Sequence, residues 1–371
     1  MNGNDAAVDT LISQLQHAGM NTLDVGADVV AQMANHHVSF DASLHVTVEG
    51  TSFLSSHHVN ATDLHTLLGA ADVTVRPDWN DMGKMLNGTD AKFDTLVNNL
   101  HNAGVDTLAF EAGQIGKLAS AGFSLNAGTQ VTIDDDSFLH AQYGASMAQL
   151  HKLLDAADVT VQMNIQDLAD LKSGLGGLQQ DLVHAGVDNI AITDDLANAL
   201  AQADIHFLQS IQKGGTGENV VLVAQEDNQS GTAYLNASLD DLHKVGVDEV
   251  NAGVGVHKIE VALRDANVTA PQFTLDDLPH FNAAHGTAVS LVVDENDLAA
   301  LLSDHNAFAK LAADGFTEVH YTGNHAPSGL HDALAANGLS LDTSALTATE
   351  VQLLGLSDQS HVVAHDPVHK G

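Results

Sequence analysis

The chain contains no cysteine, which excludes thiolate catalysis, cysteine-ligated zinc, iron–sulfur clusters and disulfide staples together. Basic side chains are scarce as well: 12 Lys and Arg stand against 48 Asp and Glu in 371 residues, a formal net charge of −36. Nucleic-acid backbones and anionic membrane surfaces would meet like charge, so neither is an expected partner. Aromatics supply 4% of the residues, so Ala, Val and Leu must fill any core. No long apolar run is present. The opening MNGNDAAVDTLISQLQHAG lacks the basic start and unbroken apolar stretch of a secretory signal, and no later segment approaches a membrane span. The expectation is a protein without membrane insertion, either exported without a cleavable N-terminal signal or cytoplasmic. With 44% hydrophobic and 16% charged residues, the chain can bury a continuous core and is not expected to be disordered.

What the sequence does have is internal repetition. The segment from His17, HAGMNTLDVGADVVAQMANHHVSFDASLHVTVEGTSFL, aligns without a gap on the segment from Asn102, NAGVDTLAFEAGQIGKLASAGFSLNAGTQVTIDDDSFL, at an offset of 85. One inserted residue later, DLHTLLGAADVTV from Asp63 matches QLHKLLDAADVTV from Gln149. A third copy opens at His184, and weaker openings follow at Val245 and Asp314. Repetition of this length marks an array of similar units rather than unrelated domains.

Within each copy, short β-branched runs alternate with Ala- and Leu-rich stretches whose apolar residues recur three and four apart. Strands are expected at TLDV, VSF, HVTVE and DVTV, at TLAF, FSL, QVTID and DVTVQM, and at NIAIT, IHFL and NVVLVAQ. Later strands are expected at KIEVALRD, AVSLVVDE, EVHYTG and HVVAHD. Gly19, Gly104, Gly186, Gly246, Gly315 and Gly338 each stand between a helical stretch and a strand, where positive φ closes a helix. Parallel strands joined by helices predict an α/β fold. Short units of about 20 to 25 residues predict an elongated right-handed solenoid with a long parallel sheet, preferred over a closed eight-fold barrel with its longer units. The regular solenoid is expected over residues 1–211, with units starting near 17, 102 and 184. An irregular loop or hairpin insertion is expected over 212–236, and a diverged continuation with a C-terminal tail over 237–371.

Candidate ligand sets are few. Asp134, Asp135 and Asp136, and Asp294 with Asp297, follow strands or precede helices, where Asp caps orphan amides or, alternatively, offers carboxylates to calcium. None completes a twelve-residue calcium loop. His361, His365 and His369 in the C-terminal HVVAHDPVHKG have the four-residue spacing of helical metal ligands, although Pro367 opposes a helix there. These are the candidate metal residues, and calcium is the cofactor left open. His65, His151 and His243 recur near helix ends, a position favoured by the helix dipole. No phosphate loop, HExxH pattern or nucleophile elbow occurs. The expectation is therefore a protein that is not an enzyme.

The recurring AGVDTL (Ala103–Leu108) and AGFSL (Ala121–Leu125) motifs resemble repeat regions of large acidic bacterial surface or matrix proteins. The resemblance covers most of the chain to about Phe207. Low Lys and Arg, no Cys and plentiful Asp, Asn, Gly, Thr and Ser are similar to bacterial proteins exported by type I systems. The resemblance implies an extracellular or cell-surface structural or adhesive protein that self-assembles into a filament, surface layer or matrix, its main partner being itself. The alternative is a solenoid that binds or cleaves polysaccharide, with a surface polysaccharide as partner.

Overall fold

The computed structural model describes residues 22–36, 38–40, 44–55, 59–140, 144–207, 212–213, 216–217, 219–225, 231–253, 256–264, 274–282, 287–323 and 329–342. The fold is α/β. It divides into two compact units, the first comprising residues 1–196 and 207–221, the second 197–206 and 222–371.

Unit 1 is built on a long parallel sheet. Its strands are β1 (Thr22–Gly26), β2 (His45–Glu49), β3 (Asp72–Arg76), β4 (Thr107–Phe110), β5 (Gln130–Ile133), β6 (Asp158–Met163) and β7 (Asn189–Ile192), lying side by side in sequence order. Strand starts are 23 to 35 residues apart, longer than the 20 to 25 expected. The sequence repeat is therefore a three-strand unit. The registers repeat with it: Thr22 pairs with His45 as Thr107 pairs with Gln130, and His45 pairs with Asp72 as Gln130 pairs with Asp158.

Three expected strands are not strands. Ser39 and its neighbours in VSF, Ser124 in FSL, and Ile205–Phe207 of IHFL have irregular backbone. Phe40 donates its amide to the Leu67 carbonyl and Leu125 to the Leu153 carbonyl, both 2.9 Å, so these segments satisfy helix ends rather than a ladder. Phe40, Phe123, Leu125 and Phe207 are buried. They are apolar plugs beneath helices, and a short apolar run does not distinguish a plug from a strand.

The closing glycines behave as expected. Gly104, Gly186, Gly246, Gly315 and Gly338 all have φ between 77° and 96°, the region that a Cβ disfavours; Gly19 lies outside the described residues. Two residues after Gly104, Asp106 accepts the Val73 amide at 2.9 Å, while its own amide bonds the Val73 carbonyl at 2.9 Å. Asp188, two residues after Gly186, does the same to Val159, at 3.0 and 2.9 Å. In unit 2, Thr317 after Gly315 takes that place and accepts the Val289 amide at 2.8 Å. The Gly-Val-Asp motif is thus a clasp: glycine turns the chain, a buried Val anchors it, and the acid locks the start of the preceding strand.

Side chains alternate across the sheet of unit 1. Val46, Val48, Val73, Val75, Leu108, Phe110, Val131, Ile133, Val159 and Val161 are all buried on one face. Right-handed crossovers between sequential parallel strands carry their helices to one side of a sheet, and the buried side is the one such helices would cover. The opposite face is polar, which distinguishes this sheet from a closed barrel, whose inner face is packed with branched apolar residues.

Unit 2 contains β11 (Thr232–Tyr234), β13 (Lys258–Ala262), β15 (Ala288–Val293), β16 (Glu318–Tyr321) and β17 (Ser340–Asp342), parallel and adjacent in that order. A second parallel pair joins β12 (Glu249–Ala252) and β14 (His280–Asn282). After β7 in the chain, β8 (Gln212–Lys213) and β9 (Thr216–Gly217) form an antiparallel ribbon, and β10 (Asn219–Ala224) follows. The span 212–236, expected as an irregular loop or hairpin insertion, contains this ribbon together with β10 and β11.

Candidate functional site

Two polar surfaces have the geometry of interaction sites, one in each unit. In unit 1 the face opposite the helices carries rows fixed by register. One row runs Asp24, Thr47, Thr74, Thr107, Gln130, Asp158; beside it Glu49 pairs with Arg76, and a further row runs Ala109, Thr132, Thr160, Asn189. All are exposed or half-buried except Thr47. Neighbours bond across strands: His45 Nδ1 to Asp72 Oδ2 at 2.9 Å, Arg76 to Glu49 at 3.3 Å, Thr107 Oγ1 donating to Gln130 Oε1 at 3.3 Å, and Asn189 Nδ2 donating to Asp158 Oδ1 at 3.0 Å. Such pairs order the side chains and leave them accessible to a polar partner.

The denser site lies on the corresponding face of unit 2. Ile259, Val261, Val289, Leu291, Val293, Val319 and Tyr321 are buried, so by alternation Lys258, Glu260, Ser290, Glu318, His320 and Asp342 share the other face. Register sets Glu260, Ser290 and Glu318 side by side, and His320 beside Asp342. The Lys258 ammonium contacts Glu260 Oε1 at 2.7 Å, Glu318 Oε1 at 2.8 Å and Asp342 Oδ2 at 2.6 Å. His320 Nδ1 stands 3.6 Å from Glu260 Oε1, beyond hydrogen-bond distance. The exposure of these side chains runs from 10% for Glu260 to 24% for Lys258.

Electrostatics follow from that packing. Burial opposes the charge on Lys258, but its carboxylate partners Asp342, Glu260 and Glu318 prevail and hold the ammonium's pKa well above the usual lysine value. It is not a nucleophile near neutral pH. The proximity of His320, opposed by burial and reinforced by Lys258, lowers the pKa of Glu260; Glu260, opposed by burial and helped by Asp342, raises that of His320. Glu260, His320 and Asp342 each present a ligand atom within 4.8 Å of the others, the one such group among the described residues. These three could hold a metal ion.

The residues singled out from sequence lie elsewhere. Asp134 Oδ1 accepts the Ala112 amide at 2.7 Å at a helix start, and Asp135 accepts the Ser137 amide at 2.6 Å. Asp136 is buried at the start of a 3₁₀ turn. Asp294 caps the helix Glu295–Ser303, accepting amides from Asn296 at 2.7 Å and Asp297 at 2.8 Å, and Asp297 returns the bond to the Asp294 amide at 3.1 Å. Both carboxylates also hold the buried Arg264. Asp134, Asp135, Asp294 and Asp297 thus accept amides at helix starts, the capping role that is one of the two readings of their sequence. His361, His365 and His369 lie outside the described residues. His65, His151 and His243 sit in the last turns of their helices.

A cleft of about 370 Å³ in unit 1 is lined by Thr51, Asp81, Lys84, Lys92 and Asn99 among others. Buried Asp81 accepts the Thr51 amide at 2.6 Å and pairs with Lys84 at 3.2 Å, so its charge is committed to the fold. The aromatics form no stacking stripe among the described residues: Trp79 is exposed, bonded to Glu111 and under the Lys117 ammonium, Tyr234 is exposed, and Tyr321 is in the core.

Sequence reasoning missed the Lys258 cluster because its members come from three separate strands. A signal was present: aligning EVHYTG on the earlier TLAF places Glu318 and His320 at the positions of Thr107 and Ala109, on the face away from the helices. Compared with known proteins, the chain matches no family model and no curated relative.

Proposed function

We propose that this chain is a secreted structural or adhesive repeat protein, extracellular or at the cell surface, that self-assembles into a filament, surface layer or matrix. The observation that carries the reading is the use to which unit 1 puts its repeated polar residues. Asp106 and Asp188, which hold matching places in two repeats, each clasp the strand that precedes their own. A unit that repeats its construction bonds is suited to extension by addition of like units. Sequential strand order in unit 1 supports the finer geometry of this proposal, a right-handed α/β solenoid. Catalysis is no part of it: Lys258, the cation at the densest polar cluster, is neutralised by its partners rather than poised to react.

A second reading, polysaccharide binding, is favoured by the ordered rows from Asp24 to Asp158 and from Ala109 to Asn189, which offer hydroxyls, amides and carboxylates at the regular spacing of adjacent strands. The two readings separate experimentally. Electron microscopy and light scattering at high concentration, with and without calcium, are expected to show ordered multimers. A monomer under all those conditions, together with selective binding on a glycan array, would replace assembly with carbohydrate recognition.

A further inference from the structure

We propose that the face of β13, β15, β16 and β17 in unit 2 is a binding site for a divalent transition-metal cation of the zinc class, with Glu260, His320 and Asp342 as ligands. The first argument is charge. Three carboxylates share one ammonium, with the His320 imidazole beside them, where no side chain is more than a quarter exposed. Unbalanced charge in so dry a place is costly, and a dication balances it.

The second argument is the orphaned polar atoms. Ser290 is fully buried, lies in register between Glu260 and Glu318 on the same face, and its Oγ has no hydrogen-bond partner. Both ring nitrogens of His320 are likewise buried and make no hydrogen bond, with Nδ1 standing 3.6 Å from Glu260 Oε1. Protonating His320 would supply one compensating charge but leave two N–H donors with no acceptor at hydrogen-bond distance. A metal ion uses an imidazole lone pair directly.

The third argument is chemistry. One imidazole and two carboxylates within 4.8 Å of one another are a mixed nitrogen and oxygen set, suited to zinc rather than to calcium, which prefers six to eight oxygens. Lys258 does not exhaust the carboxylates, because each has two oxygens and about four lone-pair directions. The ammonium would remain as a neighbour that weakens, but does not exclude, the ion.

Two metals test the site on the full-length chain after stripping with chelator. Zn²⁺ affinity is measured by competition with a chromophoric chelator, and Co²⁺ geometry from its visible absorption, at one fixed pH near 7.5. The wild type is expected to hold one tight equivalent that His320→Gln loses and that a His361→Gln, His365→Gln, His369→Gln triple variant keeps. Lys258→Met is expected to bind roughly tenfold tighter or more, because the competing cation is gone, and Zn²⁺ is expected to raise its melting temperature more than that of the wild type. The tightening cannot arise from misfolding, so it remains informative if His320→Gln fails to fold. No tight equivalent in the wild type, equal binding by folded His320→Gln, or Lys258→Met affinity at or below wild type would overturn the proposal.

Discussion

Gly104 lies directly against Gly69: a methyl group built on Gly104 would stand 2.7 Å from the Gly69 Cα and 2.8 Å from its nitrogen. One repeat later the same approach recurs, with a methyl on Gly186 standing 3.0 Å from the Asp155 Cα. The end of one helix is pressed onto the backbone that closes an earlier helix, and only glycine permits both the positive φ and the approach. Gly128 also has positive φ, at 83°, but nothing lies within 4 Å of its missing side chain.

Gly128→Ala is therefore expected to cost about 1 kcal/mol, the backbone penalty alone, and Gly104→Ala roughly 2–4 kcal/mol because the backbone of Gly69 must also move. Denaturant midpoints for the two variants check this. Equal midpoints would mean that the close approach carries no energy.

Removing the clasp should act on the preceding strand. Asp106→Ala leaves the Val73 amide without its side-chain acceptor and is expected to cost about 1–3 kcal/mol, with Asp106→Asn retaining part of the bond. Amide exchange at Val73 is the local readout. Exchange that speeds up no more at Val73 than across the rest of β3 would contradict the clasp.

Asp134 and Asp294 should respond to pH with opposite signs. Burial raises the Asp134 pKa, opposed by the Ala112 amide and helped by Asp135 and Glu111. Its carboxylate thus disfavours folding, and its contribution falls as pH rises from the unfolded value through the folded one. Asp134→Asn, which keeps an acceptor for Ala112, is expected to be neutral or stabilising at pH 7. If calcium stabilises the wild type and that effect disappears in this variant, Asp134 is a calcium ligand instead.

For Asp294, burial opposes ionisation, but the amides of Asp297 and Asn296 and the Arg264 guanidinium outweigh it and lower the pKa below its ordinary value of 3.8. Its stabilising contribution is complete above that value and is lost as pH falls through the depressed folded one. Asp294→Asn should therefore flatten the acid limb of the stability curve, measured as melting temperature below about pH 5. An unchanged acid limb would remove Asp294 from the account.

The repeat could be read from sequence because the bonds that build it are local to recurring words: Gly104 and Asp106 belong to one motif and act on its own strand's neighbour. VSF, FSL and IHFL misled because Phe40, Phe123 and Phe207 are buried beneath helices, and burial alone makes a plug look like a strand. The Lys258 cluster was hidden for a different reason. Lys258 and Asp342 are 84 residues apart and meet through a 2.6 Å bond that depends on strand order, which hydrophobic pattern does not encode. Only the alternation of polar residues within β13 and β16 carried a trace of it.

The central claim is assembly of like acidic chains, and sedimentation velocity across a concentration series tests it most directly. A net charge of −36 repels neighbouring copies, so association is expected to be weak in low salt and to strengthen at about 0.15 M sodium chloride, where the screening length is roughly 8 Å. Calcium at matched ionic strength should strengthen it further wherever carboxylates of adjoining copies are bridged. A sedimentation coefficient that rises with protein concentration, and rises more under screening, is the predicted result. A single monomeric boundary at every concentration, in low salt, in sodium and in calcium, would contradict the account.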